Sequence, residues 1–188
     1  MENRKNALLT MPSSILHLPS SLVLSIANRQ RTKKINVRSL KQITAALLEE
    51  LEIENAELGI ALVSAGEMAR VNWQFLQHEG STDVITFDHT PPVGRDSRRA
   101  ATNNKSRLAR TLAPPSLHGD LFICVDDAVT QAKQFGSNWQ AEVVRYVVHG
   151  VLHLLGYDDL EPHLRREMKR EENRLVRRLA QRFSFAQL

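Results

Sequence analysis

The chain carries its most informative residues in one run, His149-Gly150-Val151-Leu152-His153-Leu154-Leu155-Gly156-Tyr157-Asp158-Asp159. Two histidines four positions apart lie on the same face of a helix, where they can bind one metal ion through their imidazole nitrogens. Gly156 favours a helix end, because glycine adopts the left-handed conformation at little cost. The following turn can return Asp159 as a third ligand. Three ligands and an open coordination position are typical of a catalytic metal site.

The alternative is that His149 and His153 are ordinary helix residues, and this would be the usual interpretation of an isolated H-x-x-x-H pattern. The surrounding residues argue against it, because the predicted helix is otherwise apolar. Its apolar residues are Val143, Val144, Val147, Val148, Val151, Leu152, Leu154 and Leu155. Imidazole nitrogens in such a run are costly to bury unless they find partners. A metal ion bound at the end of a central helix is therefore the favoured interpretation.

Composition predicts one domain, because 188 residues with 42% hydrophobic and 24% charged residues are enough for a single ordinary core. The formal net charge of +4 permits an RNA partner without requiring one. Cys124 is the single cysteine and lies in an apolar run, which predicts a buried, unreactive thiol and a cytoplasmic location. No apolar run approaches the roughly 20 residues needed to span a bilayer, so no membrane is expected as a partner.

Hydrophobic periodicity predicts an α+β domain over residues 21–188, with a mixed four-stranded sheet packed with helices. Residues 1–20 are expected to form a flexible N-terminal extension. Strands are predicted at 22–27, 58–63, 83–87 and 119–125. Helices are predicted at 37–51, 65–76, 127–135, from 137 or 138 through the metal motif, and 162–183.

Three helix starts have recognisable caps in the sequence. Asn36 is expected to cap the first helix, Ser64 with Glu67 to form a capping box, and Asp126 to cap the third helix. Met68, Val71 and Phe75 are expected to form the buried face of the second helix.

Residues 88–118 differ from the rest of the chain and predict a mobile basic loop insertion. Four prolines and six basic residues lie there: Pro91, Pro92, Pro114, Pro115, Arg95, Arg98, Arg99, Lys105, Arg107 and Arg110. A solvated insertion without a role is one interpretation, and an arm that contacts phosphates is the other.

The same spacing of metal ligands occurs in zinc proteases of the metzincin type, which makes a metalloprotease a less favoured alternative. Those enzymes carry a glutamate directly after the first histidine as the general base. Gly150 occupies that position here, so the residue that would activate water is missing.

Beyond these patterns, the run from Val147 to Asp159 resembles the signature of the YbeY family of metal-dependent endoribonucleases and rRNA maturation factors. Residues 72–87 resemble the family pattern N-x-x-Y-R…P-T-D-V-L-S-F. Residues 119–123 resemble its G-D-I-x-I strand, and residues 126–132 resemble the helix that follows. The resemblance covers about residues 20–165, apart from the 88–118 insertion.

The resemblance implies an endoribonuclease that prefers single-stranded RNA and acts in rRNA processing. Its expected roles are maturation of the 3′ end of small-subunit rRNA and ribosome quality control. It implies one zinc ion held by His149, His153 and Asp159, with another divalent transition metal as the alternative. The expected partners are rRNA, the small ribosomal subunit and ribosome-assembly factors. No catalytic general base and no substrate-binding residue can be assigned from the motif.

Two residues depart from the family pattern. The family usually has histidine as the third ligand where this chain has Asp159, and His163 is the alternative ligand. The family commonly has arginine where this chain has Leu76, and leucine cannot pair with a phosphate. His78 or an arginine of the 88–118 insertion is the expected substitute. The Leu76 departure also keeps open a second function, a non-catalytic ribosome-assembly RNA-binding factor with a structural metal.

Overall fold

Four strands form one sheet in the computed structural model, which describes residues 21–90 and 116–188. The strands are β1 (Ser21–Asn28), β2 (Asn55–Val63), β3 (Val84–Asp88) and β4 (Ser116–Cys124). Their order is β1-β2-β4-β3, with β1, β2 and β4 parallel and β3 antiparallel to β4. The predicted mixed four-stranded sheet is confirmed. The predicted N-terminal extension and most of the predicted basic insertion lie outside the described residues.

Within the described residues, five helices pack with the sheet. They are α1 (Val37–Glu50), α2 (Ala65–Leu76), α3 (Val125–Phe135), α4 (Trp139–Leu154) and α5 (Pro162–Arg182), followed by a 3₁₀ turn at Phe185–Gln187. Helix α4 is central, since it contacts α1, α3, α5 and strands β3 and β4. Its valines are fully buried, which explains the near-continuous apolar run in the sequence. None of the helices in the two described ranges is long and apolar enough to cross a bilayer.

Two glycines allow α4 to approach the sheet closely. A Cβ atom on Gly150 would lie 2.8 Å from a methyl carbon of Leu121 and 3.2 Å from one of Val84, both in β strands. A Cβ atom on Gly119 would lie 2.6 Å from the backbone oxygen of Phe87 and 2.8 Å from a methyl carbon of Leu154. These contacts fix the last turns of α4, which carry the two motif histidines, against β3 and β4.

The predicted start of the fourth strand was wrong by three residues. Residues 116–118, assigned to the insertion from sequence, belong to β4 and pair with the first residues of β2. Leu117 is buried, so the additional residues of β4 contribute a side chain to the hydrophobic core.

The cap predicted for α3 was also wrong. The helix begins at Val125, after Cys124, and no side chain caps it. The Asp126 carboxylate instead accepts the backbone N–H of Ala65, at 2.7 Å, and a hydrogen bond from the Thr32 hydroxyl. Asp126 therefore caps the first turn of α2, a helix that is distant in sequence.

The start of α2 matches half of the predicted capping box. Ser64 accepts the N–H of Glu67 at 3.3 Å, while the Glu67 carboxylate pairs with Arg29 at 2.8 Å. Phe75 was expected to be buried, and its side chain is 55% exposed. Asn72 is buried in its place and donates a hydrogen bond to the Gly80 oxygen at 2.9 Å. The helix thus packs through Met68 and Asn72, which are four positions apart on one face.

Candidate metal centre

Three side chains of the motif converge at the C-terminal end of α4. The Nε2 atoms of His149 and His153 lie 3.0 Å apart, and the Asp159 Oδ2 atom lies 4.0 Å from His149 Nε2. All three ligand atoms lie within 4.8 Å of one another, and the structure has no other group of this kind in the ranges it describes. Two nitrogens and one carboxylate oxygen at this separation suit a tetrahedral divalent metal with one position open.

The chain after α4 places the third ligand. Gly156 has a φ of +87°, and the N–H of Tyr157 returns to the Leu152 oxygen at 3.0 Å, which ends the helix. Asp158 accepts the N–H of Leu160 at 3.0 Å and so stabilises the next turn. Asp159 turns back toward the two imidazoles. His163 is exposed on the first turn of α5 and lies outside the group of converging ligands.

The other nitrogen of each imidazole is held by an acceptor. His149 Nδ1 lies 3.1 Å from a Glu172 carboxylate oxygen, and His153 Nδ1 lies 3.1 Å from the Tyr157 backbone oxygen. Because a carbonyl and a carboxylate only accept, both Nδ1 atoms carry a proton, and in neutral rings both Nε2 atoms present lone pairs. Two lone pairs 3.0 Å apart repel each other unless a cation lies between them. The donor set therefore fits a metal ion.

Burial lowers the pKa of His153, and the neighbouring His149 lowers it further. Both effects disfavour the imidazolium form. His153 is thus neutral at physiological pH, as a metal ligand must be.

Glu172 is the functional residue that sequence reasoning missed. Its side chain is 3% exposed, and it contacts Arg145 Nη1 at 2.5 Å and Lys169 Nζ at 2.7 Å. Burial alone would raise the pKa of Glu172, but hydrogen bonds from His149, Lys169 and Arg145 prevail and lower it to about 2. The ionised carboxylate orients the His149 ring through Nδ1, as the outer partner of a metal-binding histidine would.

A sequence signal for Glu172 existed. The buried seam of α5 contains Met168, Leu175 and Leu179, and Glu172 lies four positions after the first and three before the second. A carboxylate in the middle of an apolar seam needs a charged partner. The pattern therefore predicts that Glu172 is a buried, paired carboxylate, although it does not identify the side chains that pair with it.

The residue that departs from the family arginine pattern lies on the surface. Leu76 ends α2 with its side chain 50% exposed. Thr82 and Asp83 lie just before β3, where the Thr82 hydroxyl donates to the Asp83 carboxylate at 3.0 Å and Asp83 accepts the N–H of Val84 at 2.9 Å. These contacts are those of a strand start.

Arg165 is the cation beside the third ligand. Its Nε atom donates to the backbone oxygen of Asp159 at 2.9 Å, and its side chain is exposed. Its terminal nitrogens have no partner within the described ranges. They are therefore available to an anion that approaches this exposed surface beside Asp159.

The position after the first histidine excludes the protease alternative on steric grounds as well. The Gly150 Cα faces Leu121 and Val84 in the tightly packed core, where a glutamate side chain has no room and no water. The metal centre lacks a general base of the protease type.

Comparison with known proteins gives a consistent result. The family model described as Endoribonuclease YbeY matches residues 25–180. A protein named Endoribonuclease YbeY from Kineococcus radiotolerans is 34% identical over 145 residues, which cover 76% of each chain. Another of that name, from Syntrophotalea carbinolica, is 31% identical over 164 residues and covers 86% of this chain and 98% of its own.

A solved structure supports the fold. The solution structure of TM1509 from Thermotoga maritima matches with a TM-score of 0.54 and 22% sequence identity, covering 84% of this chain and 89% of the other. The family model covers most of the chain and includes every residue of the metal centre. This chain therefore belongs to the endoribonuclease YbeY family.

Proposed function

We propose that this protein is a metal-dependent endoribonuclease that cleaves single-stranded RNA during rRNA processing. Its proposed roles are maturation of the small-subunit rRNA 3′ end and ribosome quality control, in the cytoplasm, with rRNA, the small ribosomal subunit and assembly factors as partners. The observation that carries the proposal is the convergence of His149, His153 and Asp159 around an open position, in a chain of this family. The ion that we propose is zinc, because nitrogen and carboxylate ligands in a compact set suit it.

A divalent metal bound here would act as a Lewis acid toward the phosphodiester. His149, His153 and Asp159 would hold it, and Glu172 and the Tyr157 oxygen would keep both imidazoles in the ligating tautomer. A carboxylate ligand also offsets one unit of the metal charge, which makes the metal a milder Lewis acid than a third histidine would. The nitrogen ligands and Asp159 together leave one side of the centre for RNA.

Arg165 is proposed to take the role of the family arginine that Leu76 lacks. Its guanidinium bonds the backbone of the third ligand, so its free nitrogens can pair with the phosphate next to the cleaved bond. The matched control is Arg166, an exposed neighbour on the same helix turn that makes no comparable contact. Arg165→Ala should lower cleavage without lowering metal content, and Arg166→Ala should do neither. Equal effects of both substitutions would remove Arg165 from the proposal.

The proposed function is tested by metal analysis of the purified protein beside an RNA cleavage assay. About one equivalent of zinc should copurify, in keeping with a single site. A chelator should stop cleavage of single-stranded RNA, and added zinc should restore it. The His149→Ala, His153→Ala double variant should lack both metal and cleavage.

The same assay separates the alternative of a non-catalytic assembly factor, which the exposed Leu76 favours. A protein whose metal is structural would lose melting temperature on chelation, and its parent form would cleave no RNA. Stoichiometric metal retained in the double variant would instead show that the metal binds elsewhere.

A further inference from the structure

A pocket of about 390 Å³ opens where α3 ends and α4 begins, away from the metal centre. Two lysines, an indole ring and two small polar side chains contribute to its walls: Lys33, Lys133, Trp139, Ser137 and Gln140. Lys33 comes from the connection between β1 and α1, and Lys133 comes from α3. Three separate segments of the chain therefore build one concave, positively charged surface.

The Lys33 segment is held in place by a buried side chain. Gln30 is 5% exposed, its Nε2 donates to the Lys33 oxygen at 2.8 Å, and its Oε1 accepts the Lys33 N–H at 3.0 Å. The neighbouring Thr32 hydroxyl is bonded to the Asp126 carboxylate. The backbone of Lys33 is thus fixed on both sides, so the position of this lysine over the pocket is a property of the fold.

The charges of the pocket are not neutralised by the protein. Neither Lys33 nor Lys133 forms an ion pair with a carboxylate in residues 21–90 or 116–188. The Lys33 Nζ atom lies 5.9 Å from the centre of the half-buried Trp139 ring. This distance is the outer limit of a cation–π contact, so the interaction is weak and an incoming group can replace it.

An aromatic ring with one lysine over it and a second lysine in the same pocket matches the chemistry of a nucleotide. Bases of single-stranded RNA stack on aromatic side chains, and lysines contact the phosphates on either side. Gln140 adds a side-chain amide to the pocket wall, whereas the Ser137 hydroxyl already donates to the Glu142 carboxylate at 2.7 Å. An acidic peptide would pair with the lysines but would make no use of the half-buried indole ring.

We propose that this pocket is a second RNA contact, in which one base stacks on Trp139 while Lys33 and Lys133 bind the adjacent phosphates. The inference rests on the proposed function and adds a second binding site for the same RNA strand. Trp139 and His149 are ten residues apart on α4, which is about 15 Å along the axis. A stacked strand advances about 3.4 Å per nucleotide, so roughly four or five nucleotides would link the two sites.

The test uses the intrinsic fluorescence of the full-length protein. Trp73 is 56% exposed, so Trp73→Phe leaves a folded background in which Trp139 is the single tryptophan. The probe is a 2′-O-methyl oligonucleotide of about eight nucleotides, which single-strand binding sites of this kind accommodate and which resists cleavage. Saturating the protein with this probe should quench the Trp139 emission.

Salt dependence measures the lysine contacts. For single strands, each neutralised phosphate contributes about 0.7 to the slope of log K against log salt. The Lys33→Ala, Lys133→Ala double variant should therefore reduce the slope by about 1.4 and weaken binding. Lys41→Ala is the matched control, because Lys41 is an exposed lysine on α1 outside the pocket, and it should keep the parent slope.

The outcomes separate this inference from the proposed function. If the parent cleaves RNA and binds the probe, yet Trp139 emission and the salt slope do not respond, the pocket inference is overturned alone. Competition by a polyglutamate peptide as effective as the RNA probe would also overturn it, in favour of a protein partner. If the parent neither binds nor cleaves RNA, both proposals fall.

Discussion

At the scale of single residues, the metal centre depends on hydrogen bonds that lie behind the ligands. A carboxylate behind His149 and a backbone oxygen behind His153 decide which nitrogen of each ring faces the centre. The ligand atoms can therefore be in place before a metal arrives, which lowers the cost of ordering them. Substitutions of single residues test the ligands, the hydrogen bond behind His149 and the position of the missing arginine.

Asp159→Ala should weaken metal binding by more than the roughly 10- to 100-fold loss typical of an outer partner, because it removes a ligand itself. His163→Ala should leave the affinity unchanged, since His163 lies outside the converging group. Competition with a chromophoric chelator measures both affinities. A larger loss in the His163 variant would transfer the ligand role to that residue.

Glu172→Gln should lower metal affinity by about 10- to 100-fold, because the amide cannot hold the His149 ring with the strength of a carboxylate. It should also cost about 1–3 kcal/mol of unfolding free energy, since Arg145 loses the nearer of its two carboxylate partners and retains only Glu142 at 3.7 Å. Glu167→Gln, the same change on the same helix, is the control for both measurements. Full metal affinity in Glu172→Gln would limit that residue to a structural role.

Leu76→Arg should change stability by less than about 1 kcal/mol, because the side chain is half exposed at a helix end. The new guanidinium should maintain or raise RNA cleavage, as a second cation near the substrate phosphates. Cleavage rate and melting temperature are measured on the same sample. A stable variant that cleaves more slowly than its parent would argue against phosphate binding at the surface around Leu76.

The candidate metal centre contains residues that the sequence predicts and residues that it does not predict. The spacing of His149 and His153 predicts their shared face, because helix geometry is local. The partner of Glu172 is not local, since Arg145 and His149 lie on another helix. No pattern within α5 reveals which side chains face that carboxylate.

At the scale of elements, the cap of α2 comes from another helix. Ser64 binds one N–H group of the first turn, and Asp126 binds another from the start of α3. Local patterns predicted the Ser64 cap and assigned Asp126 to its own helix. The real partner, Ala65, is 61 residues away, so the assignment required the fold.

Asp126→Ala should destabilise the protein by about 1–2 kcal/mol, the usual cost of removing a helix cap. Asp126→Asn keeps one acceptor oxygen and should recover part of that stability. Urea unfolding of both variants gives the free energies, with the m-value as a check on the denatured state. Parent-like stability of the alanine variant would show that the cap contributes little.

At the scale of the whole molecule, the sheet joins segments in an order that composition does not reveal. Hydrophobic periodicity predicts where the strands and helices lie along the chain. The position of β4 between β2 and β3, in contrast, results from pairing between segments that are distant in sequence. Strand pairing depends on how the buried faces of distant segments pack together, and the residues next to each strand in sequence do not specify its partner. Periodicity therefore predicted the strands, the helices and a mixed sheet, but it did not predict the order of the strands.

Replacing residues 91–115 by a short glycine-containing turn should leave the fold intact. Strands β3 and β4 are already antiparallel neighbours, and the His89 N–H bonds the His118 oxygen at 3.0 Å. Closing a shorter loop should keep stability or raise it by about 1 kcal/mol. Circular dichroism and melting temperature test the fold, and a large loss of stability would contradict this prediction.

The same variant addresses the role of the basic insertion. If it is a solvated segment without function, RNA affinity and its salt dependence should stay as in the parent. If it binds phosphates, the slope of log K against log salt should fall by about 0.7 for each phosphate that the insertion neutralises in the parent.

The close approach of α4 to β3 and β4 at Gly150 restricts which residues can follow the first histidine of the motif. Gly150→Glu would introduce the residue that zinc proteases use as general base, and its Cβ atom would lie 2.8 Å from a methyl carbon of Leu121 and 3.2 Å from one of Val84. Either these side chains or α4 would have to move, and a shift of α4 would move both imidazoles with it. A peptidase based on this fold would therefore need smaller side chains in β3 and β4 together with the new glutamate.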